Sequence, residues 1–253
     1  MYILNERDFI RSVLLTKQKP NDISIEYLIK LIAKYYYSPD INIDELISVV
    51  KSKMLEFDIF EYQEHLYINK IKTICAAVCD PESTVRNFKE IEYIPIYKKE
   101  LDVINTLKLD REKKIMFTLY AVARYRNSYG WTNIKNSAGI SELFQLANVT
   151  LPSDKRNELL HQLYVNGHIE FSKKIDNLNI HVDLLSEGDI SYKIKEFANL
   201  GNQYIGNFKY GYKMCAEPGC LKYIKVNGHN TRYCKQCSEL KRIEKYRKYN
   251  EKR

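Results

Sequence analysis

Cys215-Ala-Glu-Pro-Gly-Cys220 and, after thirteen further residues, Cys234-Lys-Gln-Cys237 place four thiols within one short stretch of chain. Two cysteine pairs flanking a hairpin-sized insert have the ligand spacing of a structural zinc site. The insert holds Tyr223-Ile-Lys-Val226, then Asn227-Gly228, then Thr231-Arg-Tyr233. Short strand-favouring runs on either side of Asn-Gly predict a β-hairpin. Beyond Cys237 neither Gly nor Pro occurs, and Leu240, Ile243 and Tyr246 recur at helical spacing. The second cysteine pair therefore opens a helix, whose unpaired N–H groups and dipole favour thiolates.

Four thiolates around Zn²⁺ leave a local charge of about −2. Lys213, Lys222, Lys225, Arg232 and Lys235 lie within or beside the motif and can compensate it. Free thiols or redox-active pairs are the alternative. The expected cofactor is a structural Zn²⁺ held by Cys215, Cys220, Cys234 and Cys237, with no open position for catalysis. Knuckle, hairpin and helix in that order resemble a treble clef. The first pair departs from the usual two-residue spacing by enclosing four residues.

The same end of the chain carries the charge. The 253 residues have a formal net charge of +8. Residues 209–253 hold 13 Lys/Arg against 4 Asp/Glu, and the remainder is balanced at 27 against 28. An excess confined to one end predicts a polyanionic partner, most simply nucleic acid. A solubilising frayed tail is the bland alternative. Tyr is frequent at 21 residues, and the run Tyr35-Tyr36-Tyr37 is assigned no function. Without an apolar leader or a membrane-length run, and with cysteines spaced as ligands, a reducing cytoplasm is expected.

Residues 1–95 read as a helical domain. Ile25, Leu28, Ile29 and Ile32 form one apolar stripe, ending near Ser38-Pro39. Asp40 or Asn42 caps a second helix carrying Leu46, Val49, Val50 and Met54. A third runs from about Tyr62 to Val78, with Leu66, Ile68, Ile71 and Ile74 expected inward and Cys75 and Cys79 as buried free thiols. No catalytic pattern occurs here, and self-association or partner recruitment is the expected role.

Residues 96–186 suggest a winged helix-turn-helix. Helices are expected at Lys98–Leu107 and Arg111–Arg126, then one capped by Ser141, then Asp154 to Asn166 with Leu159, Leu160, Leu163 and Tyr164 inward. The pattern then alternates through Ile169, Phe171, Ile180, Val182 and Leu184, around a hairpin tip carrying Lys173 and Lys174. In such a fold the third helix enters the major groove and the wing touches the backbone. Lys155, Arg156 and Gln162 are the candidate groove contacts, with Lys173 and Lys174 on phosphate. Asp154 and Glu158 on the same face oppose phosphate. The fold also serves as a protein adaptor.

Residues 187–212, rich in Gly and with a short helix from Tyr192 to Leu200, read as a linker. Residues 213–253 form the zinc module and its tail, where Lys241, Arg242, Lys245, Arg247 and Lys248 are candidate phosphate contacts. The expected fold class is mainly α with small β hairpins.

Lys114-Ile-Met-Phe-Thr-Leu-Tyr-Ala121, Phe144-Gln-Leu-Ala-Asn148 and Ile169-Glu-Phe-Ser-Lys-Lys-Ile-Asp-Asn177, followed by the paired cysteines, resemble uncharacterised proteins of phages and mobile elements of low-GC bacteria. The resemblance covers most of residues 90–253. It implies a bacterial host cytoplasm and carries no settled activity. No Walker A, GxGxxG, HExxH or nucleophile-elbow pattern occurs. His229-Asn230 invites an HNH nuclease, but the thirteen-residue insert lacks any carboxylate to hold a second metal. The expected function is DNA binding, as a regulator or replication accessory and not an enzyme. Capture of a host protein complex, or an RNA partner, is the alternative.

Overall fold

Asn5 turns the extended N-terminus into the first helix, α1 (Glu6–Thr16), by accepting the Asp8 N–H with its side chain. The computed structural model describes every residue except 1, 22, 58, 60, 61, 173–178, 187, 210, 219, 221, 222, 227–230 and 251–253, with backbone alone for 244–250. It contains ten α-helices and three two-stranded antiparallel sheets among the described residues. The chain divides into two compact units, 1–93 and 94–253. None of the described helices is long and apolar enough to cross a membrane.

The first unit continues with α2 (Ile25–Tyr36), α3 (Ile43–Leu55) and α4 (Glu64–Cys79), then a 3-10 turn at Thr84–Arg86. Ser24 and Asn42 cap α2 and α3 by accepting N–H groups from Tyr27 and Glu45. Leu28, Ile29 and Ile32 meet Leu46, Val50 and Met54, then Ile71, Cys75 and Val78, in one core. Leu66, expected inward, is 62% exposed, because the buried face of α4 follows Ile71, Cys75 and Val78. Burial pushes the Cys75 thiol up to about 12, so it stays a neutral apolar side chain.

α1 carries a buried carboxylate that the apolar periodicity does not announce. Glu6 accepts hydrogen bonds from Tyr27 Oη at 2.7 Å, Lys34 Nζ at 2.6 Å and the Lys89 backbone N–H at 2.9 Å. Three elements are thereby joined at one side chain. Burial alone would raise the Glu6 pKa, but the bonds from Lys34, Tyr27 and Lys89 outweigh it and hold the carboxyl below its usual 4.5. A lowered folded pKa means that this stability is present above pH 4.5 and drains away as pH falls through the folded value. Glu6→Ala strands Lys34 in the core, and a loss of about 3–5 kcal/mol is expected by urea unfolding at pH 7. The difference between variant and parent should shrink below pH 4.

The second unit begins with β1 (Ile94–Tyr97) and α5 (Lys98–Thr106), leading into α6 (Asp110–Arg126). From Ile115 to Ala123 every residue of α6 is buried, so the rest of the unit is packed around this helix. Then come α7 (Ser137–Leu146), α8 (Ser153–Val165), the hairpin β2 (Glu170–Phe171) and β3 (Ile180–His181), and β4 (Ile190–Ile194). α9 (Leu200–Phe208), the pair β5 (Tyr212–Met214) and β6 (Tyr223–Lys225), and α10 (Lys235–Asn250) complete it. β1 pairs with β4, Ile94 opposite Ile194. Arg124 of α6 closes a buried ion pair with Glu100 of α5 at 2.6 Å and lies over the Tyr97 ring.

The stretch expected as a linker is built into this unit. Tyr192 lies in strand β4, not in a helix, and α9 packs along α6. Phe117 of α6 meets the rings of Tyr192, Tyr204 and Phe208 at centroid distances of 6.0, 5.6 and 6.2 Å. Gly201 is required by close approach: a Cβ there would strike the carbonyl of Ala147 at the end of α7. α7 also starts earlier than expected, because Asn136, not Ser141, caps it by accepting the Gly139 N–H. Tyr164, expected inward, is 46% exposed and leans on Phe171 of the hairpin.

Candidate metal centre

Two knuckles deliver the four thiols. At the first, Cys215 follows β5, the Cys220 N–H donates to the Glu217 carbonyl, and the Ala216 N–H reaches across to Arg232. At the second, α10 starts one residue after Cys234, so Cys237 falls in its first turn. The Cys234 N–H donates to Cys215 Sγ at 3.3 Å and the Cys237 N–H to Cys234 Sγ at 3.5 Å. Backbone donors aimed at sulfur stabilise thiolates rather than thiols.

One ligand atom from each of Cys215, Cys220, Cys234 and Cys237 lies within 4.8 Å of the other three, so the cluster could hold a metal ion. The sulfurs of Cys220 and Cys234 are 3.9 Å apart. A tetrahedron of sulfurs with metal bonds near 2.3 Å has an edge of about 3.8 Å, so the donors fit a four-coordinate ion. Without a cation the thiols compete for one charge. The Cys237 N–H, ahead of the neighbouring thiols, draws Cys234 down to about 7, while hydrogen bonding to Cys234 and then burial push Cys237 up to about 12.

Two contacts that the sequence did not announce seat this centre. The ring of Tyr223 on β6 abuts α9, where a Cβ on Gly206 would run into it. A glycine at that helical position permits β6 to approach the backbone, and β6 pairs with β5 across the first cysteine pair rather than with Thr231–Tyr233 as expected. Lys241 of α10 pairs with Glu217 of the first knuckle at 2.8 Å and sits over the Tyr233 ring. A lysine expected on phosphate thus braces the helix against the cysteine cluster.

The other expected contacts fare differently. Arg242 is exposed and pairs with Glu239 one turn back, at 2.6 Å. Lys245, Arg247 and Lys248 lie on the helical backbone of α10, and their side chains are outside the described residues. Lys155 is exposed on α8 with Gln162, but its ammonium is 2.7 Å from Glu158. Arg156 is committed inside the fold: its guanidinium donates to the Leu151 carbonyl at 2.7 Å and to Ser141 Oγ at 2.8 Å, tying α8 to α7. It is therefore withdrawn as a groove contact. Lys173, Lys174, Asn227, Gly228 and His229 lie outside the described residues.

Between the α6 end and the β2–β3 hairpin, Trp131 forms an isolated antiparallel bridge to His181 of β3, their rings tilted at 55° with centroids 4.9 Å apart. No family model, no curated protein and no solved structure matches this chain.

Proposed function

We propose that the chain binds nucleic acid, double-stranded DNA in the first instance, as a non-enzymatic regulator or replication accessory, in keeping with the phage or mobile-element resemblance. The observation that carries this is the placement of charge. The basic excess of the chain lies in residues 209–253, where the 16-residue helix α10 carries six Lys/Arg against two Asp/Glu and has its first turn fixed by two cysteines of the cluster. A soft, closed set of four sulfurs suits zinc, which in this reading is structural and treble-clef-like in setting. A helix anchored at one end and basic beyond it lies along a phosphate backbone without reading sequence.

Support for a winged helix comes from the order α6, Trp131 bridge, α7, α8, β2–β3, with α8 in the position of a groove-reading helix. Lys155 and Gln162 are its exposed candidates for base contact. A specific observation favours a second reading, in which this face docks on a host protein. Asp154 and the Lys155–Glu158 pair leave it nearly neutral. Single-stranded or duplex RNA is the other polyanion the tail would accept.

Selection from random duplex DNA separates these readings. Enrichment of a motif is expected, and Lys155→Ala with Gln162→Ala should narrow the preference for it over random DNA by about tenfold or more. Failure to enrich any sequence would move the assignment of α8 to a protein partner.

A further inference from the structure

The first unit contains an open cleft of about 670 Å³, whose lining includes Tyr35, Tyr37, Arg86, Phe88 and the Arg7–Glu90 pair. That volume is in the range of small-molecule sites. Tyr35 and Tyr37 are two residues apart, and in a continuous helix they would point to opposite faces. They share the cleft because α2 stops at Tyr36 and Tyr37 turns extended, at φ −63° and ψ 131°. The tyrosine run at the end of α2 thus wraps around one side of a cavity.

The charges in the cleft are unequal. Lys34 is spent on Glu6 beneath the floor, at 2.6 Å. Arg7 is paired with Glu90 at 2.7 Å, its guanidinium 4.7 Å from the centroid of the Phe88 ring. Arg86 has no carboxylate partner among the described residues. Its Nη2 donates to the Pro81 carbonyl at 2.8 Å, which holds the side chain in place and leaves its other N–H groups for a ligand. The Phe88 ring is already covered by Arg7 and by Lys34, 5.7 Å from its centroid, so one positioned guanidinium beside the Tyr35 and Tyr37 rings calls for a ligand with one anionic group and one planar ring. Guanidinium forks match phosphate oxygens, and phenol faces stack on bases.

We propose that this cleft binds a nucleoside monophosphate, with Arg86 on the phosphate and Tyr35 and Tyr37 against the base. The same chemistry is offered by a free mononucleotide or by the 5′-phosphorylated end of a strand. The site is independent of the nucleic-acid surface assigned to the second unit.

Calorimetric titration of the full chain with AMP, GMP, CMP and UMP tests it. At least one should bind saturably, with adenosine or inorganic phosphate alone weaker by about tenfold or more. Arg86→Gln should weaken the mononucleotide by about tenfold or more, because a charged hydrogen bond is lost. Tyr37→Ala should weaken it as well, and serves if the Arg86 variant melts below its parent. A 5′-phosphorylated oligonucleotide that outcompetes its 5′-hydroxyl twin, in an Arg86-dependent way, assigns the site to strand ends. Indifference to the 5′ group assigns it to free nucleotide. Absence of saturable binding by every mononucleotide up to about 1 mM overturns the proposal, as does unchanged affinity in both variants.

Discussion

A chain carrying Cys234→Ser and Cys237→Ser will lose the capacity to hold a metal ion at the cluster and the order of β5, β6 and α10, while the rest of the second unit stays folded. The buried members of that cluster are Cys215, Cys234 and Cys237, with only Cys220, Ile224 and Tyr233 half-buried around them. Leu240 and Ile243, the aliphatic residues of α10, are 55% and 52% exposed and form no core. Among the described residues, Ile224, Tyr233 and the contact of Tyr223 with α9 are a small apolar remainder to hold β5, β6 and α10 together without an ion. Structural zinc supplies about 10–16 kcal/mol in modules of this size, far more than such a core can replace. Elemental analysis of the parent should give about one metal ion per chain, zinc in the proposed reading. Amide exchange should show protection lost from 212 onward and kept in α6. Full metal content in the double variant would sink the assignment.

Phe117→Ala should be the most damaging single truncation in the second unit. Phe117 is fully buried, and the rings of Tyr192, Tyr204 and Phe208 converge on it. Emptying that position should cost about 3–5 kcal/mol. For a unit of this size the melting temperature falls by roughly 10 °C. The pattern of the loss is the diagnostic part. Exchange should rise in β4 and α9 together with α6, because one ring joins all three. A flexible connection at 187–212 predicts instead that β4 and α9 exchange rapidly in the parent as well.

The cysteine cluster was legible because its ligands are local: each pair is fixed by a few residues of chain, and spacing alone brings the thiols together. Helices with a one-sided apolar stripe, such as α2 and α3, were legible for the same reason. The misreadings share a different cause. β1 and β4 pair across nearly a hundred residues of sequence, and neither strand alternates strongly enough to announce itself. Gly201 and Gly206 look like breakers in sequence, yet each is present to let another element reach the α9 backbone. Glu6 marks a solvated position by residue type, and only its three donors make it a buried one. Arg156 resembles a groove contact until Ser141 and the Leu151 carbonyl are seen to occupy its guanidinium. In each case a partner distant in sequence overrides the local signal.

The tail is where the functional claim is most exposed, and Arg242, Lys245, Arg247 and Lys248 can be changed without touching the ligands or the Lys241–Glu217 brace. The decisive measurement is the salt dependence of duplex DNA affinity, by fluorescence anisotropy, for the parent and for a chain with all four replaced by Gln. The parent should bind with a steep negative slope of log affinity against log salt, and the variant should lose up to roughly 3 units of that slope for every sequence tried. A variant that binds DNA as tightly as the parent, with the same slope, would contradict nucleic-acid binding through α10.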